Sequence, residues 1–164
     1  MLPAGFRVFA NHEYRLFWLS AAFSNFGMWA LIYGRFWLMH SITDSPLLVS
    51  LITTATLTPV LLCSLWGGVI ADRVNRLKLL RVTRGFFAIL AFLTAVLILI
   101  DAVRPWHILG ISIVTGILLA IDIPSRAAML PALIPRKQLA SAIALYSLVF
   151  GGAAIIGPLI FAPV

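Results

Sequence analysis

The chain has 164 residues, of which 62% are hydrophobic and 10% charged, and its mean hydropathy of +1.08 excludes a soluble domain and requires an integral membrane protein. Twelve Lys and Arg against five Asp and Glu give a formal net charge of +7. In a chain this apolar, with no basic stripe interleaved with exposed aromatics, those bases belong to short loops that orient spans in a lipid bilayer and not to a nucleic-acid surface.

Crossing about 30 Å of hydrocarbon takes about 20 mainly apolar residues. Five stretches qualify, at residues 16–40, 47–71, 79–100, 106–126 and 139–162, after an N-terminal segment at 1–15 that the orientation below makes cytoplasmic. The first is too long for the apolar core of a signal peptide and lacks a small-residue cleavage site, so it is a retained helix. The expected class is all-α, with short connections between antiparallel neighbours. A cytoplasmic N-terminus puts Arg7, Arg15, Arg73, Arg76, Lys78, Arg81, Arg84, Arg126, Arg136 and Lys137 inside, ten of the twelve bases. Only Arg104 stays outside, with Arg35 in the first span, so the positive-inside rule sets that orientation in the inner (plasma) membrane.

In the first span Ser20, Ser24, Gly27, Leu31, Gly34 and Arg35 share a narrow face at 100° per residue. That face either lines a watery cavity or packs closely on another helix. Arg35 either snorkels to the outer headgroups or joins the cavity lining. The second span opens at Asp44-Ser45-Pro46, a good helix start, and runs through Ser50, Thr53, Thr54, Thr56 and Thr58 to Pro59, where a bend is expected. The third carries Arg81 and Arg84 one turn apart, placed to contact headgroups, and finishes at Asp101.

From Trp106 to Ile121 the fourth span is about 24 Å long, so Asp122 falls within the inner edge of the membrane. Arg126, four residues on, shares its helical face. Asp122 and Arg126 are therefore a gating or proton-linked pair, or a structural ion pair; alternatively Asp122 caps a short helix that restarts after Pro124. Pro131 to Lys137 is a break. The fifth span carries Gly151-Gly152 and Gly157-Pro158, a small-residue packing surface with a kink.

No phosphate-binding loop, HExxH, CxxC or G-x-S-x-G is present, so neither nucleotide hydrolysis nor an intramembrane enzyme is expected. His40, Asp44, Asp101 and His107 share the outer rim, but their spacing matches no metal signature. No metal or cofactor is implied, and the single Cys63 has no disulfide partner.

Gly68-x-x-x-Asp72-Arg73-x-x-Arg76-x-Lys78, between the second and third spans, resembles the signature loop of major facilitator superfamily transporters. Asn25-Phe26-Gly27-x-Trp29, Asp122-x-Pro124-x-Arg126 with Pro131 and Pro135, and Gly157-Pro158 agree with the branch that contains the enterobactin exporter and the transmembrane secretion effectors. The resemblance covers nearly the whole chain, from Tyr14 to Val164. It implies a partial six-helix bundle from a fold of twelve helices in two halves, with small-molecule substrate bound between them. The sixth helix and the C-terminal half would then be missing partners, and the chain reads as an N-terminal fragment.

The resemblance also makes Gly68, Asp72, Arg73, Arg76 and Lys78 a cytoplasmic gating loop. Asp72 would face the N-terminus of a helix in the other half, Gly68 would permit close helix approach, and Arg73 and Arg76 would re-pair as the gate opens. The chain departs from the pattern at Asn75, which stands for a glycine yet can adopt positive φ, and at the split basic pair Arg76-Leu77-Lys78. Ala153 and Ala162 make the fifth-helix antiporter motif partial. The expected function is a secondary active, alternating-access exporter of small amphipathic molecules such as drugs or siderophores. The alternative is a small membrane scaffold or regulator that associates through Gly151, Gly152 and Gly157.

Overall fold

The computed structural model describes residues 8–161, with the side-chain surroundings of Ala132 and of residues 157–161 left out. Arg7, Ala162 and the surroundings of Gly157 and Pro158 therefore lie outside the described residues. Within them the chain is all-α: α1 His12–Ile42, α2 Pro46–Arg73, α3 Arg76–Leu99, α4 Pro105–Leu133 and α5 Leu139–Phe161, with a 3₁₀ turn at Arg136–Gln138. All five helices are long and apolar enough to cross a membrane.

The helix ends follow from local chemistry. Asn11 caps α1, its Oδ1 accepting from the Glu13 N–H at 3.0 Å. Pro46 opens α2, where its missing N–H is no loss. Asn75 caps α3, its Oδ1 accepting from the N–H groups of Leu77 at 3.1 Å and Lys78 at 3.3 Å. Its φ of −59° is the ordinary value for a cap, so Asn75 replaces the glycine of the resembling loop by capping and not by adopting positive φ.

α3 ends differently. Asp101 has φ 50°, its N–H donates to Ile98 O, and Ala102 N–H donates to Leu97 O, both at 3.1 Å. This is a Schellman motif with aspartate in the left-handed position that glycine usually fills.

The fourth helix is longer than expected. It passes through both Pro124 and Pro131 and stops at Leu133, so Asp122 lies inside a continuous helix and is not the cap of a new one. Each proline deprives the carbonyl four residues back of its N–H donor. For Pro124 that carbonyl is Ala120 O, and Gly67 of α2 lies directly against it; a Cβ at Gly67 would collide with the carbonyl. Gly116 of α4 makes a second close approach: a Cβ there would strike the Thr56 carbonyl, three residues before Pro59, and come within 3.2 Å of the Pro59 ring. α2 itself continues unbroken through Pro59.

Contacts divide the chain into two compact units, one of Met1–Gly34 and Met129–Val164, the other of Arg35–Ala128. The first has a core of Val8, Tyr14, Leu130, Ile134 and Ala142. Three donors of that unit fasten onto backbone carbonyls: Asn11 Nδ2 to Leu133 O at 3.0 Å, Tyr14 OH to Ala142 O at 3.0 Å, and Trp18 Nε1 to Leu145 O at 3.1 Å. The second has a core of Leu38, Met39, Ile52 and Ile108. Its α2 and α3 present Leu61, Leu65, Ile89 and Phe92 outward, the apolar surface that a bilayer covers.

Candidate functional site: charges buried between helices

Asp122, on α4, is fully buried. A carboxylate removed from water must be met by donors, because the bilayer supplies none. Its Oδ1 accepts from Thr83 Oγ1 at 3.1 Å. Its Oδ2 accepts from Arg84 Nη2 at 3.2 Å and, one turn along α4, from Arg126 Nη2. One carboxylate and two guanidiniums thus tie α3 to α4. Arg84 also lies over the Phe87 ring, 5.9 Å from its centroid.

The i,i+4 spacing made the Arg126 pair legible in the sequence. Arg84 is a correction: it was expected at the headgroups, but it turns onto Asp122. Its neighbour Arg81 is exposed. Thr83 and Arg84 stand 39 and 38 residues from Asp122 in sequence, and nothing local relates them.

In the gating loop, Arg76 Nη1 donates to Ala128 O at 3.0 Å, joining the start of α3 to α4. Arg76 Nη2 lies 3.8 Å from Asp72 Oδ1, whose side chain is 75% exposed; a pair so open to its surroundings contributes about 0–1 kcal/mol. Arg73 and Lys78 are exposed. Gly68 meets no described neighbour, whereas the adjacent Gly67 makes the close helix contact.

The expected cavity face of α1 divides. Ser20 is exposed and donates to its own helix at Phe17 O, Ser24 is half-buried, and a Cβ at Gly27 would meet nothing. Arg35 is 6% exposed, and its Nη1 donates to Thr115 Oγ1 at 2.9 Å and Ser112 Oγ at 3.4 Å on α4. Burial against another helix removes the snorkelling alternative. Both hydroxyls give their own protons to α4, Ser112 to Ile108 O and Thr115 to Ile111 O, so their oxygens are left to accept from the guanidinium. Ser112, Thr115 and Gly116 at i, i+3 and i+4 spell a small polar face in the fourth span, a signal that composition alone passed over. Gly151 and Gly152 of α5 meet no neighbour at the Cβ position.

Among the described residues no cluster of His, Cys, Asp or Glu is arranged to hold a metal. Charges kept at membrane depth are costly, and proteins keep them where they are paired or where solutes or ions pass; Asp122 and Arg35 are two such charges in this multi-pass protein. The chain belongs to the transmembrane secretion effector family of the major facilitator superfamily, whose profile matches residues 4–162. It is 29% identical over 146 residues to a protein of Staphylococcus aureus named staphyloferrin A transporter, an alignment that covers 88% of this chain. The aligned stretch is 37% of that relative, so the chain spans little more than a third of its length. No solved structure matches.

Proposed function

We propose that the chain forms the N-terminal bundle of a secondary active exporter that works by alternating access, with its N-terminus in the cytoplasm of the plasma membrane. The cargo is a small amphipathic molecule such as a drug or siderophore, and the proton gradient drives it. The observation that carries this reading is the Asp122 cluster. A single buried carboxylate holds guanidiniums from two helices, while Arg76 latches the start of α3 onto the Ala128 carbonyl. Such bonds are lost or exchanged when one helix end moves, which is what an inner gate requires.

Asp72 remains exposed beside this latch. A carboxylate in that position gains about 0.3–1 kcal/mol from a facing helix N-terminus, more when partly buried, and the remaining part of the transporter would supply that helix. The siderophore class is supported by the name of the Staphylococcus aureus relative. The test is uptake of a radiolabelled siderophore into inverted vesicles that carry the transporter containing this bundle. Uptake abolished by a protonophore, and reduced by Asp72→Ala without loss of insertion, is the expected result. Uptake indifferent to the protonophore overturns proton coupling, and full transport by Asp72→Ala overturns the gate. The 164 residues alone are expected not to transport, which uptake by the purified chain in liposomes would contradict.

A further inference from the structure

In the unit built on the first part of α1, three buried or half-buried side-chain donors find partners. Asn11, Tyr14 and Trp18 each donate to a backbone carbonyl. One turn apart further along the helix, Asn25 Oδ1 and Trp29 Nε1 are both buried, and neither has a hydrogen-bond partner among the described residues. Asn25 is 0% exposed, and its Nδ2 is already committed to Ala21 O at 2.8 Å, which leaves the oxygen as the free atom. Thirteen and seventeen residues after His12 in a 31-residue helix, the two stand about 20 and 26 Å along it, near mid-depth of a spanning segment. Water is scarcest there, and an orphan polar group costs most.

The orphans are complementary, one acceptor and one donor, and aromatic rings flank Trp29. Trp29 stacks on Tyr33 with centroids 5.8 Å apart, and Phe150 meets it edge-on at 5.9 Å. We propose that Asn25 and Trp29 form a ligand subsite for an uncharged group carrying both a donor and an acceptor, an amide above all, borne on an apolar body that the rings cover. The amide N–H would donate to Asn25 Oδ1 and its carbonyl accept from Trp29 Nε1. The subsite rests on the transport reading only for the idea that its ligand is cargo; binding does not require transport.

The experiment is an NMR titration of the 164-residue chain in detergent, with its five tryptophans labelled with nitrogen-15 and the Trp29 indole signal assigned by Trp29→Phe. N-hexylacetamide is the probe, with hexanoate as the charged control. A saturable downfield shift of the Trp29 indole proton with the amide and not with hexanoate is expected. Asn25→Leu should weaken the amide by about tenfold, the loss of one buried hydrogen bond. Three results would overturn the subsite. The first is no saturable shift; the second is a Trp29 signal in rapid cross-relaxation with water that the amide does not displace. The third is a signal already downfield without probe that Asn25→Leu moves upfield, which is a direct bond between the two side chains. Amide binding combined with failed vesicle transport would retain the subsite and remove the exporter.

Discussion

Gly67 of α2 lies against the carbonyl of Ala120 on α4, the carbonyl that Pro124 leaves without its helical donor. A proline in one span and a glycine in another thus form a single device: the first frees an oxygen, and the second lets a backbone come close enough to cover it, a contact of the Cα–H to carbonyl kind. Adding a methyl group should push the helices apart. Gly67→Ala is expected to lower stability in detergent by ~1–3 kcal/mol as an overpacking change. Gly68→Ala, one residue on in the same helix with open space at its Cβ, should be neutral or stabilise by up to about 1 kcal/mol through helix propensity. Thermal unfolding followed by circular dichroism compares the two, and equal losses would show that the crossing is misassigned.

Asp122 holds two guanidiniums, so neutralising it takes the carboxylate from the buried Arg126 and one charge partner from Arg84. Asp122→Asn is expected to destabilise by about 3–5 kcal/mol, the usual result of removing one partner from a buried ion pair. Adding Arg84→Met to that variant should recover part of the loss, because one of the two cations that faced the carboxylate goes with it. Unfolding of the single and double variants in mixed micelles measures the recovery, and simple additivity would mean that Arg84 and Asp122 are not coupled.

Arg35 and Thr115 join α1 to α4 by one charge-assisted hydrogen bond. In a double-mutant cycle with Arg35→Met and Thr115→Val, the coupling should be about 0.6 kcal/mol and no more than about 1.7, the range seen between membrane helices. A coupling of zero would place the guanidinium elsewhere in the folded protein.

At the end of α3, Asp101 occupies a left-handed conformation at φ 50°. Asp101→Gly removes the steric cost of a Cβ there and is expected to be neutral or to stabilise by up to about 1 kcal/mol. Asp101→Val should destabilise by at least about 1 kcal/mol, because a β-branched residue tolerates positive φ poorly. Equal thermal midpoints for the two would contradict the Schellman ending.

Asn75 makes the matching test at the other end of α3. Asn75→Ala should cost about 1 kcal/mol and Asn75→Gly only a few tenths. An opposite order, with glycine clearly better than asparagine, would mean that backbone freedom and not capping governs this turn.

Five spans, the helix start at Pro46, and the i,i+4 pairing of Asp122 with Arg126 were all legible in the chain, because each depends on neighbours within a turn or on the length of an apolar run; the cap at Asn75 was not. The loop at Gly68, Asp72 and Arg76 was singled out through its resemblance to the superfamily to which the profile match assigns the chain. What tertiary structure decided was the fate of each costly group. Arg84 turns onto Asp122 because a buried carboxylate needs more donors than its own helix offers. Arg35 stays inside because Ser112 and Thr115 give it acceptors there, which no count of residues to the helix end reveals. α4 runs on through two prolines because a neighbouring glycine covers the carbonyl that one of them exposes. Periodicity shows which residues share a face; only the packed neighbour determines whether a charge or a free carbonyl on that face is satisfied.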